Sequence, residues 1–164
     1  MRILKWLDEH FEEYIMVVLL ALIASVMMLQ IIMRYVFNAS LSWPEEFTRY
    51  CFIWSTFLGV SYCIKRGISL KVDVLFHYLP KSITKYLNIL VDLIVIIFFF
   101  YLAINSVNVV KDIFASGQIS PAMGIPMHYI YLSGLIGFSL SAIRGIQRLI
   151  LTITTIKEEK LVQQ

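Results

Sequence analysis

Four long apolar runs organise the chain, at about residues 14–37, 43–64, 87–110 and 127–149. Each approaches the roughly 17–25 residues that carry an α-helix across a bilayer, so the pattern predicts an all-α integral membrane protein with four transmembrane helices. The connections are unequal. The first is a tight turn at Asn38-Ala39-Ser40, and the third carries turn-forming Gly117, Pro121, Gly124 and Pro126. The second is too charged to cross, yet Val72, Leu75, Phe76 and Leu79 recur at helical spacing, with Ile68 and Ile83 extending the stripe. Asp73 and His77 fall off that stripe, and Pro80 should stop a helix at Leu79. One reading is a short amphipathic helix over about 71–79 lying in the interface; the other is an ordinary polar loop.

Composition agrees with this pattern. Of 164 residues, 59% are hydrophobic and 15% charged, well below the roughly 25% of a soluble domain. The spans fill most of the chain, leaving a single four-helix membrane domain over residues 1–164. A net charge of +3 is too small to argue for nucleic acid, and no nucleic-acid recognition motif occurs. The first run is read as a retained helix: Ile15–Met33 has only Ser25 and Gln30 polar and exceeds the roughly 7–15-residue core of a signal peptide. Cys51 and Cys63, if on one helix, stand about 18 Å apart and cannot bridge.

The basic residues set a direction. Arg2, Lys5, Lys65, Arg66, Lys71, Lys81, Lys85, Arg144, Arg148, Lys157 and Lys160 fall on one side; only Arg34, Arg49 and Lys111 fall on the other. The positive-inside rule puts both termini in the cytoplasm. Aromatic residues at the span ends, among them Tyr14, Trp43, Tyr62 and Tyr129, suit interfacial belts.

The second span is the unusual one. Its uncharged run, Tyr50–Ile64, covers only about 22 Å as helix, short of a hydrocarbon core of about 30 Å, so the span must extend upstream and carry Arg49 to the membrane edge. Ser42-Trp43-Pro44-Glu45 fits a capping box with proline in the first turn. Glu45 and Arg49, four apart, suit an intrahelical ion pair, which leaves Glu46 unpaired. Glu45, Arg49, Phe52, Thr56, Gly59 and Cys63 form one helix face; Glu46, Tyr50, Ile53, Phe57, Val60 and Ile64 form a greasier one beside it. A polar and small stripe packs against protein, and Ser133, Gly137, Ser141 and Gly145 repeat the theme on span four. Such packing is within the four-helix unit or against another subunit. Asp92 reads as an ion or proton site, or as one half of a buried ion pair with Lys65, Arg66 or Arg144, of which Asp92–Arg144 is the expected pair. Gln30 and Arg34 share a face of span one that can meet the charges of span two.

No catalytic constellation emerges. His10, His77 and His128 lie near membrane edges, and there is no H-E-x-x-H, phosphate loop or Cys/His cluster, so no cofactor or metal is expected. Glu45-Glu46-Phe47-Thr48-Arg49 resembles the signature of intramembrane CAAX-type proteases, but its arginine comes one residue early and the later histidine motifs are missing. A self-sufficient four-span exporter is the other alternative; no inverted repeat or pair of broken spans supports it.

The run Leu41–Leu75 resembles the small, Q-type membrane subunit of tripartite ATP-independent periplasmic (TRAP) transporters. Trp43, Glu45, Glu46, Arg49, Trp54, Phe57-Leu58-Gly59 and Val72-Asp73 carry the match, and Ser120–Gly134 adds a looser one. Ser69 departs from the histidine common in that family. The resemblance implies a non-catalytic scaffold subunit in a bacterial inner membrane. Its partners would be a large multi-span transport subunit, which holds the substrate and sodium sites, a periplasmic substrate-binding protein and membrane lipids. The cargo would be an organic acid such as a C4-dicarboxylate or sialic acid. Trp43, Glu45, Glu46, Arg49, Trp54, Gly59, Asp73, Gly137 and Ser141 are then the expected interface or structural positions.

Overall fold

The computed structural model describes residues 2–67 and 81–162, so Asp73 and the 71–79 segment lie outside the described residues. Among the described residues four helices follow in order: α1 (Arg2–Tyr35), α2 (Trp43–Arg66), α3 (Lys81–Ser116) and α4 (His128–Val162). Among the described residues there is no strand, only an isolated bridge between Ile119 and Pro126. Three helices contain stretches long and apolar enough to cross a membrane: His10–Tyr35, Leu87–Ser116 and His128–Thr154. The chain is thus a multi-pass membrane protein. In α2 the charges at both ends, Glu45, Glu46 and Arg49 against Lys65 and Arg66, shorten the apolar stretch.

Helices α1, α3 and α4 run well past the predicted spans. Residues 2–13 and 150–162 contain no Gly or Pro, and adding a residue to an existing helix is far cheaper than starting one. Helix α2 stops instead at Gly67, whose φ of 70° is the left-handed conformation that closes a helix; its N–H bonds back to the Cys63 and Ile64 carbonyls.

Helix α1 packs on α2, α2 on α4, and α4 on α3, giving the order α1–α2–α4–α3. Helix α4 is the centre of this array: 44% of its apolar stretch is buried within the chain, against 6% for α1 and for α3. The outer helices consequently present apolar side chains outwards, such as Leu20 and Met28 on α1 and Ile97 and Phe100 on α3. Among the less exposed positions of α1, Glu12, Met16, Leu19, Ile23, Val26, Gln30 and Met33 recur every three or four residues, the seam of a helix facing one neighbour. Its two polar members, Glu12 and Gln30, lie about 27 Å apart along the helix, close to the thickness of a hydrocarbon core.

Small residues let α4 approach both neighbours. A Cβ on Gly137 would sit 2.6 Å from Phe57 Cβ and 3.0 Å from the Phe57 carbonyl oxygen on α2. One on Gly145 would sit 2.9 Å from Ile96 on α3, and Ser133 and Ser141 are buried alongside. The stripe on span four therefore packs within the unit. On α2, Gly59 faces Met16 of α1, but Glu45, Arg49, Phe52, Thr56 and Cys63 of the same predicted stripe are exposed. The buried positions of α2 are instead Pro44, Glu46, Thr48, Cys51, Leu58, Ser61 and Ile64. Gly137→Ala is expected to lower stability by about 1–2 kcal/mol, because backbone and not a pliable side chain stands in the way. Thermal unfolding in detergent checks this; an unchanged midpoint would show that the helices part without cost.

Candidate functional site

The polar groups gather at the two ends of the array. At the end carrying the 36–42 and 117–127 connections, the start of α2 differs from the expected capping box. Ser42 is already helical (φ −89°, ψ −27°) and its side chain makes no capping bond, whereas an N-cap needs extended backbone to aim its hydroxyl. The Thr48 hydroxyl bonds to the Pro44 carbonyl at 2.9 Å. Glu45 crosses to α1, accepting from Gln30 Nε2 at 3.2 Å, and among the described residues it forms no ion pair with Arg49. The reason is energetic: an exposed i,i+4 pair contributes a few tenths of a kcal/mol, less than satisfying an amide on an apolar seam. Arg34 lies over the Tyr35 ring, 5.9 Å from its centroid. Arg49 is exposed, with no carboxylate at ion-pair distance among the described residues.

Glu46, the residue left without a partner by the local spacing, is the best satisfied of the three. Its Oε2 accepts from the Ala122 N–H at 2.9 Å and the Met123 N–H at 3.0 Å, and its Oε1 accepts from the Tyr50 hydroxyl. The connection it holds is itself a tight hairpin. Ser120 N–H bonds to the Ile125 carbonyl at 2.8 Å, Met127 N–H to the Gln118 carbonyl at 2.9 Å, and Gly124 turns the chain at φ 66°. Two successive amides pointing at one carboxylate make a small anion nest. Trp43 stacks edge-on against Phe47, with centroids 6.2 Å apart, and Trp54 is half-buried on α2.

A half-open groove of about 550 Å³ runs from this end between α2 and α3, floored by α4. Arg49, Glu46 and Tyr50 stand at its mouth; Ile53, Phe57, Gly134 and Phe138 line its depth. Phe57 and Phe138 meet edge-on, with centroids 5.1 Å apart.

At the opposite end a buried ion network joins all four helices. Glu12 of α1 is 0% exposed and accepts from Arg144 Nε of α4 at 2.7 Å and from the Ser61 hydroxyl of α2 at 3.1 Å. Lys65 Nζ lies 3.8 Å from its second oxygen. Arg144 also reaches Gln147 at 2.7 Å. One turn further along α4, Arg148 pairs with Asp92 of α3 at 3.4 Å and reaches the Ile64 carbonyl at 3.5 Å, which also accepts the Gly67 N–H at the end of α2. The Thr152 hydroxyl donates to Asp92 at 3.4 Å. The expected Asp92–Arg144 pair is therefore corrected. Both residues are buried, at 5% and 4% exposure, but Asp92 takes Arg148 while Arg144 takes Glu12. The register of α3 against α4 puts Asp92 a turn further along. Arg66–Glu13, at 3.5 Å and half exposed, is a surface pair of little weight.

Glu12 and Arg148 were not legible as site residues. Glu12 precedes the apolar run and reads as a solvated end, although an acidic residue at the end that also holds Lys65 and Arg144 is a usable signal. Cys51 and Cys63 are both free thiols. Among the described residues no group of three or more His, Cys, Asp or Glu side chains could hold a metal ion. The polar contacts are holding contacts between helices.

Comparison with known proteins agrees. Residues 23–155 match the family described as tripartite ATP-independent periplasmic transporters, DctQ component. The chain is 32% identical over 154 residues to a TRAP transporter small permease protein of Haemophilus influenzae, covering 93% of this chain and 94% of that one. It is 28% identical over 149 residues to the ectoine TRAP transporter small permease protein TeaB of Halomonas elongata, covering 91% and 77%. It is 31% identical over 153 residues to the isethionate TRAP transporter permease protein DctMQ of Oleidesulfovibrio alaskensis, covering 90% of this chain but only 24% of that longer protein. The family is one of non-catalytic transport components, and with residues 23–155 matched the chain belongs to the DctQ component family of TRAP transporters.

Proposed function

We propose that this chain is the small permease subunit of a sodium-driven TRAP transporter importing an organic acid. It acts as a fixed scaffold for a large multi-span transport subunit and helps to dock a periplasmic substrate-binding protein. The observation that carries this reading is the family match over residues 23–155, which takes in most of the helical array. The relatives named for isethionate and ectoine support a small organic solute as cargo. That the DctMQ relative is about four times the matched length supports a larger permease as partner. The bare apolar flanks of α1 and α3 offer surface for such a partner and for lipid. In this reading α2 is a fourth span and both termini face the cytoplasm of a bacterial inner membrane. The 71–79 segment lies in the cytoplasmic interface, and sodium binds the large subunit, not this chain.

Reconstitution of this chain, a large subunit and a binding protein in proteoliposomes tests the assignment. Sodium-dependent uptake is expected only when all three are present. Uptake by this chain alone, or by the large subunit with unchanged rate when this chain is omitted, would overturn the scaffold role.

A further inference from the structure

The groove between α2 and α3 has dimensions that narrow its occupant. From Glu46 to Phe57 it is about 16 Å deep, close to half of a hydrocarbon core of about 30 Å, which is the acyl layer of one leaflet. The walls are dry. The Ser106 hydroxyl is turned to the Leu102 carbonyl at 2.8 Å, and the Tyr50 hydroxyl is spent on Glu46.

The mouth adds a charge. Glu45 is engaged by Gln30 and Glu46 by the 117–127 hairpin, so Arg49 faces the mouth as an exposed cation with no carboxylate at ion-pair distance among the described residues. A cation at headgroup level above an apolar slot of one leaflet's depth is complementary to an anion carrying an acyl chain. We propose that the groove is a binding site for an anionic phospholipid, with its phosphate on Arg49 and an acyl chain along Ile53, Phe57, Gly134 and Phe138. The proposal rests on α2 lying in the membrane. Lipid fills the slot by mass action, being the bulk solvent of the helices around it. It completes the surface that α2 and α3 leave open.

The full chain in phosphatidylcholine nanodiscs, doped with a photoactivatable acyl-chain analogue of phosphatidylglycerol, tests this by mass-spectrometric mapping of the label. Enriched label is expected at Ile53, Phe57 and Phe138, above that at outward-facing Leu20 and Ile97, and displaced by unlabelled phosphatidylglycerol. Arg49→Gln, a surface change, should lower groove labelling about fivefold, the worth of one basic residue near an anionic headgroup. Gly134→Leu should fill the floor and lower it for any headgroup, with helical content and a monodisperse elution profile confirming the fold. Groove labelling no greater than at Leu20 and Ile97, or indifferent to both variants, would overturn the site. So would its loss on adding the large subunit, which would make the slot a protein seat. Absence of label from Leu20 and Ile97 too would instead overturn the membrane reading beneath it.

Discussion

Arg144→Met is expected to destabilise the helical array by about 3–5 kcal/mol, the cost of leaving a buried carboxylate without its partner. Glu12 is 0% exposed; its direct contacts are Arg144 at 2.7 Å, the Ser61 hydroxyl at 3.1 Å and Lys65 at 3.8 Å. Removing the guanidinium leaves an ion with one hydroxyl and one distant ammonium. The double variant Glu12→Leu/Arg144→Met should recover most of the loss, since replacing both members of a buried pair by apolar side chains is often close to neutral. Thermal unfolding of the purified chain in detergent, for wild type, Arg144→Met, Glu12→Leu and the double variant, gives the coupling energy directly. Additive losses would show that the pair is not a unit.

That pair also shows where a sequence stops informing. The apolar runs are continuous, so helix existence and order follow from hydropathy, and helices do appear at each of the four. Lateral partners depend on register between helices far apart in sequence. Asp92 was legible as a buried acid near basic residues, but a single turn of α4 separates Arg144 from Arg148, and no local rule distinguishes them. Glu12 was hidden because the apolar window begins after it, whereas α1 starts at Arg2 and carries it in towards α4.

Local rules misdirected the start of α2 for a related reason. Capping boxes and i,i+4 pairs are what Ser42, Glu45 and Arg49 would form on an isolated helix. Here each contributes little beside contacts that the tertiary structure offers. Gln30 sits opposite Glu45, and the Ala122 and Met123 amides of the 117–127 connection sit opposite Glu46. Gly124 and Pro126 were legible as turn formers, but the acceptor that their turn encloses lies more than seventy residues upstream.

Glu46→Ala is expected to free that connection. Amide exchange at Ala122 should accelerate about tenfold to a hundredfold, the range for losing a hydrogen bond to a charged acceptor, and less at Met123, whose N–H keeps the Ser120 hydroxyl at 3.2 Å. Glu46→Gln keeps one acceptor oxygen but turns an NH₂ towards donors, so it should fall between wild type and alanine. Glu45→Ala, acting on an exposed residue whose bond runs to α1, should leave both amides unchanged. Hydrogen–deuterium exchange of the chain in nanodiscs, read on peptides spanning 118–127, distinguishes the three. Equal exchange in Glu46→Ala and wild type would mean that the hairpin's own bonds, Ser120 to Ile125, Met127 to Gln118 and Met123 to the Ser120 hydroxyl, suffice to hold it. Because Pro121 and Met127 also line the groove, freeing the hairpin should loosen the mouth beside Arg49. Glu46→Ala is therefore expected to reduce lipid labelling of Ile53 along with amide protection, while Glu45→Ala leaves both in place. Loss of protection without loss of labelling would separate the clasp from the groove.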